Sequence, residues 1–188
     1  MKLIICCFNI NDYNYVSKYF QNILIDGIEI EVVRNDIIGC SAEVIASAGN
    51  SFGMMDGGID KTINYNLNFI SEQVQKIIKN NYFGECHIGQ SFLVKTNHHK
   101  FKYLCYAPTM RIPENVSNSL NAYYALRSVL TECIKNKITS VVVPLFCAGA
   151  GEMPINKVCH QYHMAIESLS YNFNDWKSIN NFHKKLIL

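Results

Sequence analysis

Residues 140–154 read Ser140-Val141-Val142-Val143-Pro144-Leu145-Phe146-Cys147-Ala148-Gly149-Ala150-Gly151-Glu152-Met153-Pro154, and a helical segment follows to Leu169. Ser140–Phe146 is a mostly apolar run, the kind of strand that a sheet buries on both faces. Pro154–Leu169 reads as a helix with Pro154 near its first turn, where a missing N–H costs little. Between them lies a loop whose centre contains only small residues. A doubly buried strand that passes through a short loop into a helix is the repeating unit of a helix-covered α/β sheet.

The same alternation continues in both directions. Strands are expected at Lys2–Ile10, Ile28–Val33, Glu43–Ala48, Gln90–Lys95 and Tyr103–Tyr106. Helices are expected at Asp12–Leu24, Asp60–Asn68, Ser71–Asn80 (with Ser71 as N-cap) and Val116–Lys135, from apolar residues at helical spacing. Residues 172–188 read as a last strand or a packed tail. The expected fold is a three-layer α/β/α sandwich with a central mixed sheet, and residues 1–188 read as a single domain.

The composition narrows the function classes. The chain has 188 residues, 49% hydrophobic and 17% charged, with a net charge of +2. That length can bury a core without staples, and that balance does not suit disorder. A charge of +2 is no footprint for sequence-specific nucleic-acid binding. There is no run of roughly 18 apolar residues, so no transmembrane helix is expected. The apolar start lacks a small-residue cleavage site. The eight cysteines contain no CxxC pair, and several lie in core-like strands. They read as reduced, buried thiols of a cytoplasmic protein. The 21 asparagines read as genomic bias.

In such folds, ligands sit where strands end and loops lead into helices. Two loops there carry chemistry. Residues 47–60 run Ser47-Ala48-Gly49-Asn50-Ser51-Phe52-Gly53-Met54-Met55-Asp56-Gly57-Gly58-Ile59-Asp60. Their glycines allow close backbone approach, and the helix start that follows attracts anions. Asn50 and Asp60 supply an amide and a carboxylate suited to sugar hydroxyls and a polarised water. In the loop 144–154, bare backbone can receive a pyrophosphate. Neither loop is a Walker A or a dinucleotide fingerprint.

These segments resemble the macrodomain family, the ADP-ribose-binding module. Its members carry an acid followed by Ile, then an Asn-Ala-Ala-Asn segment, a glycine run and Val-Asp, and later a Pro-to-Pro loop. Here Asp36-Ile37 precedes Ser47 by eleven residues, Asn50 stands at the second Asn, and Asp60 lies ten beyond it. Pro144 and Pro154 have the family spacing. Ala107-Pro108-Thr109-Met110-Arg111 with Asn121-Ala122-Tyr123 resembles a microbial and viral subgroup. The resemblance covers roughly residues 25–170.

The resemblance implies roles. Asp36 would accept from the adenine amino group, with Ile37 beside the ring. Ala148, Gly149, Ala150 and Gly151, in the loop with Cys147, would cradle the pyrophosphate. Gly57, Gly58 and Ile59 would line the distal ribose. Asn50 would hydrogen-bond that ribose, and Asp60 would orient a water at its anomeric carbon. The implied function is binding of ADP-ribose and its hydrolytic release from an ADP-ribosylated macromolecule, with no metal or other cofactor, by a monomer in the cytoplasm (the host's, for a viral chain). The alternatives are a non-catalytic reader, a protein that sequesters an NAD-derived nucleotide, and an ADP-ribose-1″-phosphate phosphatase.

The departures from the family pattern are Asn35, Ser47, Met55, Asp56, the Cys147-Ala148-Gly149 triplet, and Gly151 and Glu152. At Gly151 many members place an aromatic residue, so Phe52, Tyr106 or another loop residue is a candidate substitute. Structural readings stand beside the functional ones. Asp36 also suits a turn cap, and Asp60 a first-turn acid. Asp56 suits loop solvation or chemistry. Cys147 reads as a core thiol more readily than a nucleophile. Cys159, His160 and His163 lack a second ligand pair for zinc. His98-His99-Lys100 reads as an exposed turn, while Lys95, Lys100, Lys102 and Arg111 could form a basic patch. Tyr123 and Tyr124 read as core.

Overall fold

A computed structural model describes residues 1–23, 25 and 27–187. Leu24 and Leu188, the ends of two expected segments, lie outside the described residues. The strands are β1 (Lys2–Cys7), β2 (Glu29–Arg34), β3 (Val44–Asn50), β4 (Phe92–Lys95), β5 (Tyr103–Met110) and β6 (Ser140–Val143). They form one sheet in the order β2-β1-β6-β3-β5-β4. Five strands run parallel and β4 pairs antiparallel with β5, so the sheet is mixed.

The helices are α1 (Ile10–Phe20), α2 (Gly58–Asn66), α3 (Ser71–Asn81), α4 (Asn121–Lys135), α5 (Ile155–Glu167) and α6 (Trp176–Leu186). The pleat of the sheet sorts the core into two layers. Leu3, Ile5, Ala46, Cys105, Val141 and Val143 face α1, α4, α5 and α6. Ile4, Cys6, Ile45, Leu104, Tyr106 and Val142 face α2 and α3. The expected α/β/α sandwich is therefore observed.

Several boundaries differ from expectation. β1 stops at Cys7 because Asn9 caps α1, its side-chain oxygen accepting from the Asp12 N–H at 2.8 Å. β5 continues to Met110, beyond Tyr106. α4 begins at Asn121, and residues 116–119 form a turn closed by the Ser119 N–H on the Val116 carbonyl. Ser71 is not an N-cap. It is the first residue of α3, and its N–H donates to Asn64 Oδ1 at 3.0 Å. The segment read as a strand or tail contains α6, opened by a capping box between Asp175 and Ser178.

The carboxyl ends of the five parallel strands all lie at one edge of the sheet. The loops after Cys7, Arg34, Asn50, Met110 and Val143 converge there. At the end of β3 the pairing steps from Gly49 opposite Pro108 to Asn50 opposite Met110. Such an irregularity re-aims the side chain at the strand end. No described helix is long and apolar enough to cross a membrane.

Candidate functional site

A cavity of about 530 Å³ opens at this edge. It gathers Asn50, Gly57, Gly58, Ile59 and Asp60 from the first loop and Cys147, Ala148, Gly149, Ala150 and Gly151 from the second. Asp36 and Ile37 line a second cavity of about 240 Å³. The two share Cys6, Phe8, Gly58 and Ile59 as walls, so they form one continuous trough.

Asp60 lies in the first turn of α2 and is 5% exposed. Its Oδ1 accepts from the Ser47 hydroxyl at 2.8 Å and from the Ala48 N–H at 3.1 Å. It makes no other hydrogen bond among the described residues, and its side chain borders the cavity. Burial pushes its pKa up to about 6; the bonds from Ser47 and Ala48 oppose that shift, and the negative charge of Asp56 adds to it.

Asn50 is committed to its own loop. Its Oδ1 accepts from the Phe52 N–H at 2.9 Å and the Met54 N–H at 3.3 Å, and its Nδ2 donates to the Met54 carbonyl at 2.8 Å. One Nδ2 hydrogen is left for a ligand. Tyr106 fixes the strand below, donating its hydroxyl to the Asn50 carbonyl at 2.7 Å. Only glycine fits at position 49, since a Cβ there would lie 2.2 Å from that hydroxyl.

The second loop is held from α5. Tyr162 donates to the Pro144 carbonyl and accepts from the Phe146 N–H at 2.7 Å. Within the loop, Ala148 N–H bonds Leu145, Glu152 N–H bonds Gly149, and Met153 N–H bonds Cys147. The N–H groups of Gly149, Ala150 and Gly151 have no partner among the described residues. Nor do those of Gly58 and Ile59, whose place in the first helical turn leaves them unpaired. Two clusters of backbone donors thus line the cavity, and among the described residues no Lys, Arg or His does.

Asp36 is both a cap and a wall. Its Oδ1 accepts from the Ile38 N–H at 3.1 Å, closing a short 3₁₀ turn at Ile37–Gly39. Ile37 is buried against the second core layer, with an edge on the smaller cavity.

Neither Phe52 nor Tyr106 lines the trough. Phe52 packs under the Arg111 guanidinium, and Tyr106 is buried in the sheet. A Cβ at Gly151 would lie 2.6 Å from the Cys147 carbonyl, which excludes an aromatic side chain there. The aromatic of this site is Phe8, just past the end of β1 and 80% exposed. The sequence reading missed it. The signal was available, since a lone aromatic follows an apolar strand on the edge where ligands bind.

Cys147 has φ 67° and is buried, with its thiol pushed up to about 12 by burial and directed at the Thr109 carbonyl at 3.9 Å. That environment opposes a thiolate nucleophile. The basic patch does not form as one surface. Arg111 lies at the cleft end of β5, bound to Glu85 at 2.8 Å, while Lys102 precedes the strand and pairs with Glu43 at 3.4 Å. Tyr123 is core, but Tyr124 is exposed.

Relatives share this architecture. The macrodomain of Mycobacterium tuberculosis DarG superposes with a TM-score of 0.64 at 22% identity, covering 73% of this chain and 89% of its own. The Oceanobacillus iheyensis macrodomain, solved as a variant with ADPR, gives 0.64 at 17% identity, covering 81% of this chain and 88% of its own. An uncharacterized protein of Aquifex aeolicus (strain VF5) is 28% identical over 127 residues, 68% of this chain and 74% of its own length. The Macro domain family model matches residues 46–162. That span runs from within β3 to within α5 and takes in both loops of the cleft: the chain belongs to the macro domain family.

Proposed function

We propose that the trough binds ADP-ribose, free or attached to a macromolecule, and that the protein hydrolyses the bond joining the distal ribose to that macromolecule. The observation that carries binding is the pairing of two joined cavities with two clusters of unpartnered N–H groups and no cationic side chain among the described residues. Backbone donors and a helix N-terminus suit a pyrophosphate. The smaller cavity, between Phe8 and the free oxygen of Asp36, suits an adenine ring and its amino group. The distal ribose falls to Asn50, Gly57 and Asp60. The Oceanobacillus macrodomain has been solved with ADPR and with ADP, which supports this ligand class.

For hydrolysis, the Asp60 carboxylate would accept a proton from a water as its oxygen attacks the anomeric carbon. The bond to the macromolecule breaks and the leaving group takes a proton. Variants of the Oceanobacillus protein at an asparagine and at an aspartate ten residues further on have been solved, the spacing of Asn50 and Asp60 here. The commitment of Asn50 to its own loop supports the alternative of a non-catalytic reader. The phosphatase alternative has less support, because Asp56 on the cavity wall would repel a further phosphate.

The deciding experiment incubates the protein and its Asp60→Ala variant with ADP-ribosylated protein. The hydrolase reading expects ADP-ribose release by the wild type, with release lost and binding kept in the variant. Tight binding without release by the wild type would establish the reader. We also read residues 1–188 as one domain, a reading supported by β1, which lies inside the sheet between β2 and β6.

A further inference from the structure

Cys6 and Cys40 form the only sulfur–sulfur hydrogen bond among the described residues. Cys40 Sγ donates to Cys6 Sγ at 3.7 Å. Cys6 lies on β1 and Cys40 directly after the 3₁₀ turn Ile37–Gly39. Each thiol also reaches a carbonyl of the loop that carries Asp36: Cys6 Sγ donates to Asn35 O at 3.3 Å, and Cys40 Sγ lies 3.7 Å from Asp36 O. Both are buried, yet Cys6 borders both cavities, so a small oxidant entering the trough meets the pair. The other cysteines are free, buried thiols, and among the described residues none of them hydrogen-bonds to another sulfur.

We propose that Cys6 and Cys40 are an oxidative modification site, a dithiol that a peroxide converts to a disulfide at the base end of the trough. The step balances. One thiol is oxidised by the peroxide to a sulfenic acid, with the peroxide O–O bond broken and water released from hydrogen peroxide. The second thiol attacks the sulfenyl sulfur, the S–S bond forms, and the hydroxyl leaves as a second water. Two thiols and hydrogen peroxide give one disulfide and two waters. The contact with Cys6, whose S–H can turn to donate once Cys40 ionises, lowers the Cys40 thiol's pKa; burial and the charges of Asp36 and Glu31 oppose that shift, and the charge of Lys100 adds a little to it. Lys100 is held nearby by its bond to the Ile38 carbonyl at 3.2 Å.

The bond has a structural consequence. A disulfide needs its sulfurs about 2.0 Å apart. Closing the pair therefore draws Cys40, and with it the Ile37–Gly39 turn, toward β1. Asp36 and Ile37 move relative to Phe8, and the smaller cavity changes shape. This consequence rests on the proposed ADP-ribose reading; the chemistry of the pair does not.

The test treats the full chain with hydrogen peroxide, blocks remaining thiols, and maps disulfide-linked peptides by mass spectrometry. ADP-ribose affinity is measured in parallel on reduced, oxidised and re-reduced protein. A Cys6–Cys40 linked peptide is expected, with affinity lowered severalfold and restored by dithiothreitol. Cys40→Ser, whose side chain does not line either cavity, should give no linked peptide and no loss of affinity on oxidation. Absence of the linked peptide in wild-type protein overturns the proposal, whatever the variant does. A linked peptide in a protein that binds ADP-ribose in neither state upholds the modification site and sinks the ligand reading.

Discussion

The Ser47 hydroxyl donates to Asp60 Oδ1 across the gap between the end of β3 and the start of α2, at 2.8 Å. Ser47 replaces an asparagine of the family pattern, and here it anchors the acid on which the proposed chemistry depends. That acid is buried and raised to about 6, which makes its charge expensive in the folded state.

Stability should therefore depend on pH through Asp60. Its folded pKa of about 6 lies above its ordinary value of 3.8. The folded state holds the proton more tightly, so the stabilisation is present at low pH and is lost as pH rises through about 6. The whole shift corresponds to on the order of 3 kcal/mol, part of it falling between about pH 5 and about pH 8. Asp60→Asn keeps an acceptor for Ser47 and Ala48 but cannot titrate. Thermal unfolding across that range should show the wild type losing stability relative to the variant; parallel curves would mean that Asp60 is not raised.

Asp56 should oppose the ligand. It borders the cavity beside the helix start, where pyrophosphate is expected, and its charge already bears on Asp60. Asp56→Asn should tighten ADP-ribose binding by roughly three- to tenfold at low salt, with the gain shrinking as salt screens it. Titrations at two salt concentrations decide this. No gain at either would place the Asp56 charge away from the phosphates.

Phe8 should act on the base alone. A base stacked on an aromatic side chain is worth about 1–3 kcal/mol, so Phe8→Ala should weaken ADP-ribose about 5- to 150-fold. Its exposure leaves little packing to lose, so the melting temperature should hold. Ribose-5-phosphate, which lacks the base, should bind both proteins alike. Equal losses for both ligands would contradict stacking.

The two glycines of the second loop should behave differently. A Cβ at Gly151 meets the Cys147 carbonyl at 2.6 Å, whereas at Gly149 it meets nothing within 4 Å. Gly151→Ala should cost about 1–3 kcal/mol, as overpacking does, and should also weaken binding by displacing the loop's donors. Gly149→Ala should fold as the wild type does. Thermal melts of the pair provide the comparison, and equal melting temperatures would remove the steric account of Gly151.

The layers were legible in the sequence because buried strands write themselves as apolar runs, as Val141–Val143 does, and the two chemical loops because glycine and proline punctuate them. Strand and helix ends were less legible, since capping depends on geometry: Asn9 ends β1 by starting α1. α6 was hidden by polar residues in a segment read as a last strand or a packed tail, although Asp175 and Ser178 have capping-box chemistry and Phe182 and Leu186 supply its buried stripe. Phe8 left a mark that was passed over, a lone aromatic just past an apolar strand. The Cys6–Cys40 contact was out of reach for a different reason: it depends on β1 lying beside β2, and a contact between residues so far apart in sequence leaves no local mark.

Calorimetric titration with ADP-ribose tests the central claim most directly. The expected result is saturable binding at one site, weakened by Phe8→Ala and by Asp36→Ala, since both side chains face the base-end cavity. The absence of any binding heat at millimolar ADP-ribose, in a protein whose melting curve is intact, would contradict it.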